Sequence, residues 1–227
     1  MTRKTILIAV GLSLAAARPS QAVTIIPTGD TYVTQHSGLG GPTSNHSSDP
    51  KLDAIGTSTF LSYPLYQFDL SAYTGQTVTG PSTLSLYVTS GFGLTSSRTV
   101  SLYEVSIGWV PTTATYNNFG PAAGIQFGTD TNATAMDIQI VGGAGMTPQY
   151  VSWTVPATVI QNWIDNPAQN HGLLIRNQSG ANLDLSFDAV EGTNQPQLNV
   201  AVPEPSSVAV LLAFGAGSAL LRRRKMR

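Results

Sequence analysis

The stretch "STLSLYVTS" (residues 82–90) alternates strictly. Leu84, Leu86 and Val88 fall on one side of an extended chain, with polar residues and Tyr87 between them. Period two is the mark of a strand with one face in a core and the other facing out. The pattern recurs on both sides. "TIIPTGDTYVT" (24–34) is a strand, a Pro-Thr-Gly turn and a second strand. "PLYQFDLS" (64–71) puts Leu65, Gln67 and Asp69 on one face, and Tyr66, Phe68 and Leu70 on the other. "RTVSLYEVS" (98–106) puts Val100, Leu102 and Glu104 opposite Thr99, Ser101, Tyr103 and Val105. "AMDIQIVG" (135–142), "QYVSWTV" (149–155), "HGLLIRNQ" (171–178), "NLDLSFDAV" (182–190) and "PQLNVAV" (196–202) follow. About nine short strands separated by Gly, Pro and Asn predict an all-β antiparallel sandwich rather than a parallel α/β sheet.

One helix interrupts this series. In "PATVIQNWIDNPAQ" (156–169), Val159, Ile160, Trp163 and Ile164 have helical spacing. Pro156 suits a first-turn position, and Asn166-Pro167 ends the run. Trp153, alternating with Val151 and Val155, and Trp163, on the helical stripe, are expected in the core. "SGLGGPTSNHSSDPKLD" (37–53) reads as a long polar loop, where mobility or ligand contact concentrates.

The ends differ from this body. Arg3 and Lys4 precede an apolar run over 6–17 and a small-x-small site at Ser20-Gln21-Ala22. That order predicts a secretory leader over residues 1–22. At the other end Val208–Leu221 is short for a lasting membrane span, about 21 Å as a helix against a hydrocarbon core of about 30 Å. Arg222, Arg223, Arg224, Lys225 and Arg227 would hold the C-terminus on the cytoplasmic side.

The whole chain has a formal net charge of −1, which hides an asymmetry. Residues 23–205 contain three Lys or Arg (Lys51, Arg98 and Arg176) against twelve Asp or Glu, a net of −9. Three scattered cations cannot neutralise a run of phosphates, so nucleic acid is not an expected partner. There is no cysteine, so disulfides and thiolate chemistry are excluded.

The tail resembles a known signal. Val202-Pro203-Glu204-Pro205, the short apolar segment 207–221 and the Arg-rich end are similar to the PEP-CTERM sorting signal. The resemblance implies processing by an exosortase, with Pro203, Glu204 and Pro205 as the sorting motif. It also implies a transient membrane stage before release to the cell surface or extracellular matrix of a bacterium. The body, residues 23–201, resembles the DNRLRE-domain proteins, a set related to carbohydrate-binding modules. The residues that carry this are "GDTYV", "YPLYQFDLS", "VTGPSTLSLYVTSG", "VSLYEVSIGWVPTTATYNN", "VSWTVPATVIQNWIDNP", "HGLLIRNQ" and "LSFDAVEGTNQPQLNV", in that order. The hexapeptide that names the family is absent. The resemblance implies a jelly-roll-like sandwich and an association with polysaccharide.

No catalytic constellation emerges. There is no Gly-x-Ser-x-Gly elbow, His-Glu-x-x-His or phosphate-binding loop. His36 and His46 share the polar loop and could meet there; two solvated loop histidines are the plainer reading. Asp30, Asp188 and Glu191 are candidate ligands for a structural calcium ion, which prefers loop carboxylates and carbonyl oxygens. A turn cap at Asp30 and a solvated Glu191 are the alternative. Trp109 and Tyr116 flank a Pro-Thr-Thr loop and are the candidate sugar-contact rings, with packing at the sandwich end as the competing reading. The expected function is therefore a non-catalytic, polysaccharide-associated surface or matrix protein. A secreted lyase or glycosidase, and a purely structural adhesin or spacer, are the alternatives.

Overall fold

The alternation at 82–88 becomes a strand whose even-numbered residues are buried and whose odd-numbered ones are half-buried. The computed structural model describes residues 20–57, 60–89, 95–178 and 184–203. The leader up to residue 19, and Glu204, Pro205 and the tail beyond them, lie outside the described residues.

Eleven strands run through the described residues: β1 Ser20–Ile25, β2 Gly29–Thr34, β3 Lys51–Gly56, β4 Leu61–Gln67, β5 Ser82–Val88, β6 Arg98–Glu104, β7 Asp137–Val141, β8 Gln149–Val155, β9 Leu173–Asn177, β10 Leu185–Asp188 and β11 Gln197–Pro203. One α-helix, α1 Ala157–Asp165, lies between β8 and β9. The hydrogen-bonded path runs β1-β11-β5-β10-β3-β4-β9-β6-β7, with β8 added to β5 and β2 to β4. The pairs given a register are antiparallel. The first layer is β1, β11, β5, β8 and β10. The second is β2, β4, β9, β6 and β7. β3 pairs with β10 of the first and β4 of the second, and so joins them. The expected antiparallel β-sandwich with one helix is the observed fold.

Between the layers lies the main core. Leu84, Leu86, Trp153, Phe187 and Leu198 from the first layer meet Val100, Leu102, Tyr66 and Ile175 from the second. Trp153 and Trp163 are in this core, as their spacing predicts. Trp153 adds a bond between layers: its indole N–H donates to the Val100 carbonyl at 3.1 Å. Pro156 caps α1 rather than opening its first turn, and Asn166 ends it.

A second core lies on the outer side of the second layer. The excursion between β6 and β7 crosses that face and supplies Trp109, Ala114, Phe119 and Ile125. These cover Tyr63, Leu65, Tyr103 and Leu174. β4 and β6 are therefore buried on both faces, which is why each carries large apolar or aromatic residues at both parities.

Two details correct the reading of the sequence. The loop expected over 37–53 ends earlier: Lys51–Gly56 is a strand at the junction of the layers, with Leu52 and Ala54 fully buried. Its six residues end in glycine and are too short for periodicity alone to separate them from the loop. His36 and His46 also have separate partners. His36 packs on Phe60 at 4.3 Å between ring centroids, and His46 stacks on Tyr32 at 4.0 Å.

Close packing at the β9 entry needs glycine. Gly172 has φ +83°, and a Cβ there would collide with the Tyr66 carbonyl.

Candidate functional site

The two outer faces of the sandwich differ. The excursion covers much of the second layer's outer face. The first layer's outer face carries a polar ladder, and its composition follows from the alternation. In β5, Leu84, Leu86 and Val88 take the core side, so Thr83, Ser85 and Tyr87 point outward. β8 pairs with β5 along its whole length: Tyr87 opposes Tyr150, Ser85 opposes Ser152, and Thr83 opposes Thr154. On the other side of β5, Gln197 opposes Ser85 and Asn199 opposes Thr83. Directly opposed residues share a face. Thr24 of β1 extends the ladder, its hydroxyl donating to Asn199 Oδ1 at 2.7 Å.

The side chains hold one another in place. The Ser85 and Ser152 hydroxyl oxygens are 2.9 Å apart. The Tyr87 and Tyr150 rings meet edge to face, with centroids 5.2 Å apart and planes at 74°. The Tyr87 hydroxyl donates to the Pro148 carbonyl at 3.4 Å, and that of Tyr150 to the Gln195 carbonyl at 3.3 Å. Tyr150 remains 40% exposed, so a ring surface is available to a ligand. Partial burial, then the nearby charge of Asp188 and the Tyr87 ring, push its phenol above the ordinary value. The Tyr150 ring is thus an uncharged stacking surface at neutral pH. Thr83, Ser85, Ser152, Thr154, Gln197 and Asn199 have no ionisable side chain.

The rings singled out from sequence are placed differently. Trp109 is 9% exposed, packs with Phe119 in the outer core, and donates its indole N–H to the His171 carbonyl at 2.8 Å. It lines a shallow depression of about 220 Å³ with Thr113, Asn118 and Phe119. Tyr116 is half-buried, its ring against Gly124. Neither belongs to the outward ladder of β5 and β8. The signal for that ladder was present as outward parity in 82–88 and 149–155. What periodicity could not show is that these two strands are neighbours.

The three candidate calcium ligands are at one end of the sandwich, and two of them interact. Asp30 is 2% exposed; its Oδ2 accepts the Val190 N–H at 2.8 Å, and Oδ1 has no hydrogen-bond partner. Burial, opposed by that bond and reinforced by the Glu191 charge, raises Asp30 to about 7. Asp188 is engaged elsewhere: its Oδ2 accepts the backbone and side-chain N–H groups of Asn194, each at 3.0 Å. Among the described residues no group of three His, Cys, Asp or Glu side chains is placed to hold a metal.

The other carboxylates act mainly as latches. Asp69 accepts the Ser71 N–H, Asp130 that of Gln126, and Asp137 that of Thr154. Glu104 receives the Trp163 indole N–H at 2.9 Å and the Asn132 side-chain N–H at 3.1 Å. His46 Nδ1 and the Tyr32 hydroxyl both bind Asp49 Oδ2, at 2.8 and 3.2 Å. These groups satisfy backbone amides or buried polar side chains instead of converging in an open cleft.

Comparison with known families points in one direction. Residues 21–202 match the family model of carbohydrate-binding module family 96. No curated protein matches the chain.

Proposed function

The chain belongs to carbohydrate-binding module family 96, and from that premise we propose that the β8–β5–β11 outer face binds polysaccharide without cleaving it. The observation that carries this reading is the pairing of two tyrosine rings with a ladder of hydroxyl and carboxamide groups on that face. Sugar rings present C–H faces that stack on aromatic rings, and hydroxyls that pair with Ser, Thr, Asn and Gln. The latch roles of the carboxylates support a binding role over hydrolysis, which needs two carboxyl groups flanking the bond to be cleaved.

Residues 1–22 would direct export. Pro203, Glu204 and Pro205, with the apolar segment 207–221 and the basic end, would then be processed by an exosortase. Residues 23–201 would remain at the cell surface or in the extracellular matrix. Expression in a host with and without an exosortase gene tests the processing step. A C-terminal truncation, read by mass, is expected only with the gene; identical masses would reject it.

A structural calcium ion is a further part of the proposal. Asp30 Oδ1 lacks a partner and Glu191 is close enough to raise the Asp30 pKa, so an ion there would take both carboxylates plus loop carbonyls. Thermal unfolding with calcium and with chelator tests it. A midpoint that neither reagent moves removes the ion from the account.

Binding itself is tested by retention of the purified protein on a polysaccharide panel, with reducing-sugar release followed in parallel. Retention without release is expected. Release would establish an enzyme; retention on nothing would leave the structural adhesin or spacer.

A further inference from the structure

We propose that the β8–β5–β11 face takes an uncharged polysaccharide, a chain of neutral sugar rings without carboxylate or sulfate groups; this rests on the carbohydrate-binding reading above.

The cations of the body lie away from this face. Residues 23–203 hold only Lys51, Arg98 and Arg176. Arg98 is fully buried at the start of β6, its guanidinium donating to the Ser96 carbonyl. Arg176, in β9, stands over the Phe127 ring at 4.2 Å, in the second layer. Lys51 is exposed on β3, beyond β10, where it shares a face with Asp188. No cation lies on β8, β5, β11 or β1. A polyuronate or sulfated chain brings one negative charge with nearly every ring, and this face has nothing to offset them.

β10 and, beyond it, β3 border the face. β10 follows β5 in the first layer, through the Phe187–Val88 pair. Its next outward positions are Ser186, bonded to Asp53 of β3 at 2.5 Å, and Asp188. The charge of Asp188 reaches Tyr150 strongly enough to raise its phenol. The rim beside the tyrosines sets Lys51 opposite Asp188 and so offers an anionic chain no net positive charge, within a domain already at −9 over residues 23–205.

Hydroxyls and carboxamides each donate and accept, as sugar hydroxyls do. Their rows repeat every second residue, about 7 Å apart along the strands, and neighbouring strands are about 4.8 Å apart. The three rows hold two, three and four of these residues, and together they span about 14 Å along the strands and up to about 14 Å across them. That suits a short run of rings in a chain better than a single captured sugar.

Affinity electrophoresis of the full-length protein tests the class and the site together. Gels would contain hydroxyethylcellulose, galactomannan or laminarin as neutral probes, and alginate or polygalacturonate as anionic ones. We expect retardation by at least one neutral polymer and none by the anionic ones at an ionic strength of about 0.15 M, which screens the basic end of the chain. Tyr87→Ala, Tyr150→Ala and Ser152→Asp should each weaken neutral binding by about tenfold or more. Tyr150→Phe, which keeps the ring, should retain most of it. The thermal midpoint of each variant shows that lost binding is not lost fold.

Retardation by alginate or polygalacturonate overturns the neutral class. Neutral binding that survives the Tyr87, Tyr150 and Ser152 substitutions overturns this site while leaving the carbohydrate-binding reading intact. Retardation by no polymer overturns that reading itself.

Discussion

The Asp30 carboxylate accepts the backbone N–H of Val190 at 2.8 Å, from a residue 160 positions further along the chain. The bond ties β2 of the second layer to the turn between β10 and β11 of the first. Burial, against this bond, raises the carboxylate from 3.8 to about 7. Between these two values the folded protein holds a proton that the unfolded chain has released. Stability therefore falls as pH rises through this window, and the full penalty is present above it. Asp30→Asn keeps an acceptor for Val190 and cannot ionise. In a chelating buffer it should match the parent near pH 4 and exceed it at pH 8, by up to about 4 kcal/mol. Denaturant unfolding at the two pH values checks this; an equal effect at both would reject it.

Asp137 behaves in the opposite sense. Desolvation works to raise its pKa, but hydrogen bonds from Thr154, Gln139 and Ile138 outweigh it and hold the group below its ordinary value. Its bond to the Thr154 N–H joins the edge strand β7 to the edge strand β8 at 2.6 Å. The stability it adds is present above the unfolded carboxylate pKa and is lost as pH falls through the folded one. Asp137→Asn should cost about 1 kcal/mol at neutral pH, and the deficit should shrink in acid as the carboxylate is protonated. Urea midpoints at pH 7 and pH 3 measure it.

Trp153 separates packing from hydrogen bonding. It is fully buried, meets Phe187 edge to face at 6.0 Å, and bonds the Val100 carbonyl. Trp153→Phe leaves that carbonyl short of a donor and should cost about 1–3 kcal/mol. Trp153→Ala adds a cavity and should cost about 3–5 kcal/mol. Thermal denaturation should rank the parent above Phe and Phe above Ala.

Trp109 distinguishes the sandwich end from the sheet face. Its ring is packed in the outer core, and its N–H is bound to the His171 carbonyl. Trp109→Phe should lower stability by about 1 kcal/mol and leave polysaccharide retention unchanged. Loss of retention in a folded Trp109→Phe protein would move the binding site to the end of the sandwich.

Much of this molecule is local and so can be read along the chain. Alternation at 82–88 decides which side of β5 is dry, because side chains of an extended strand must alternate. Spacing at 159–164 makes a helix with Trp163 inward for the same kind of reason, and the charge of residues 23–205 is a matter of counting. Tertiary structure decided the rest. Lys51–Gly56 became a strand because it bridges two layers that are distant in sequence. Trp109 lost its exposure because the excursion that carries it folds onto the second layer. Tyr87 and Tyr150 became a pair only through the register of β5 with β8. Periodicity tells a strand which way its side chains point; the strand that lies beside it is chosen by hydrogen bonds and core packing between distant segments.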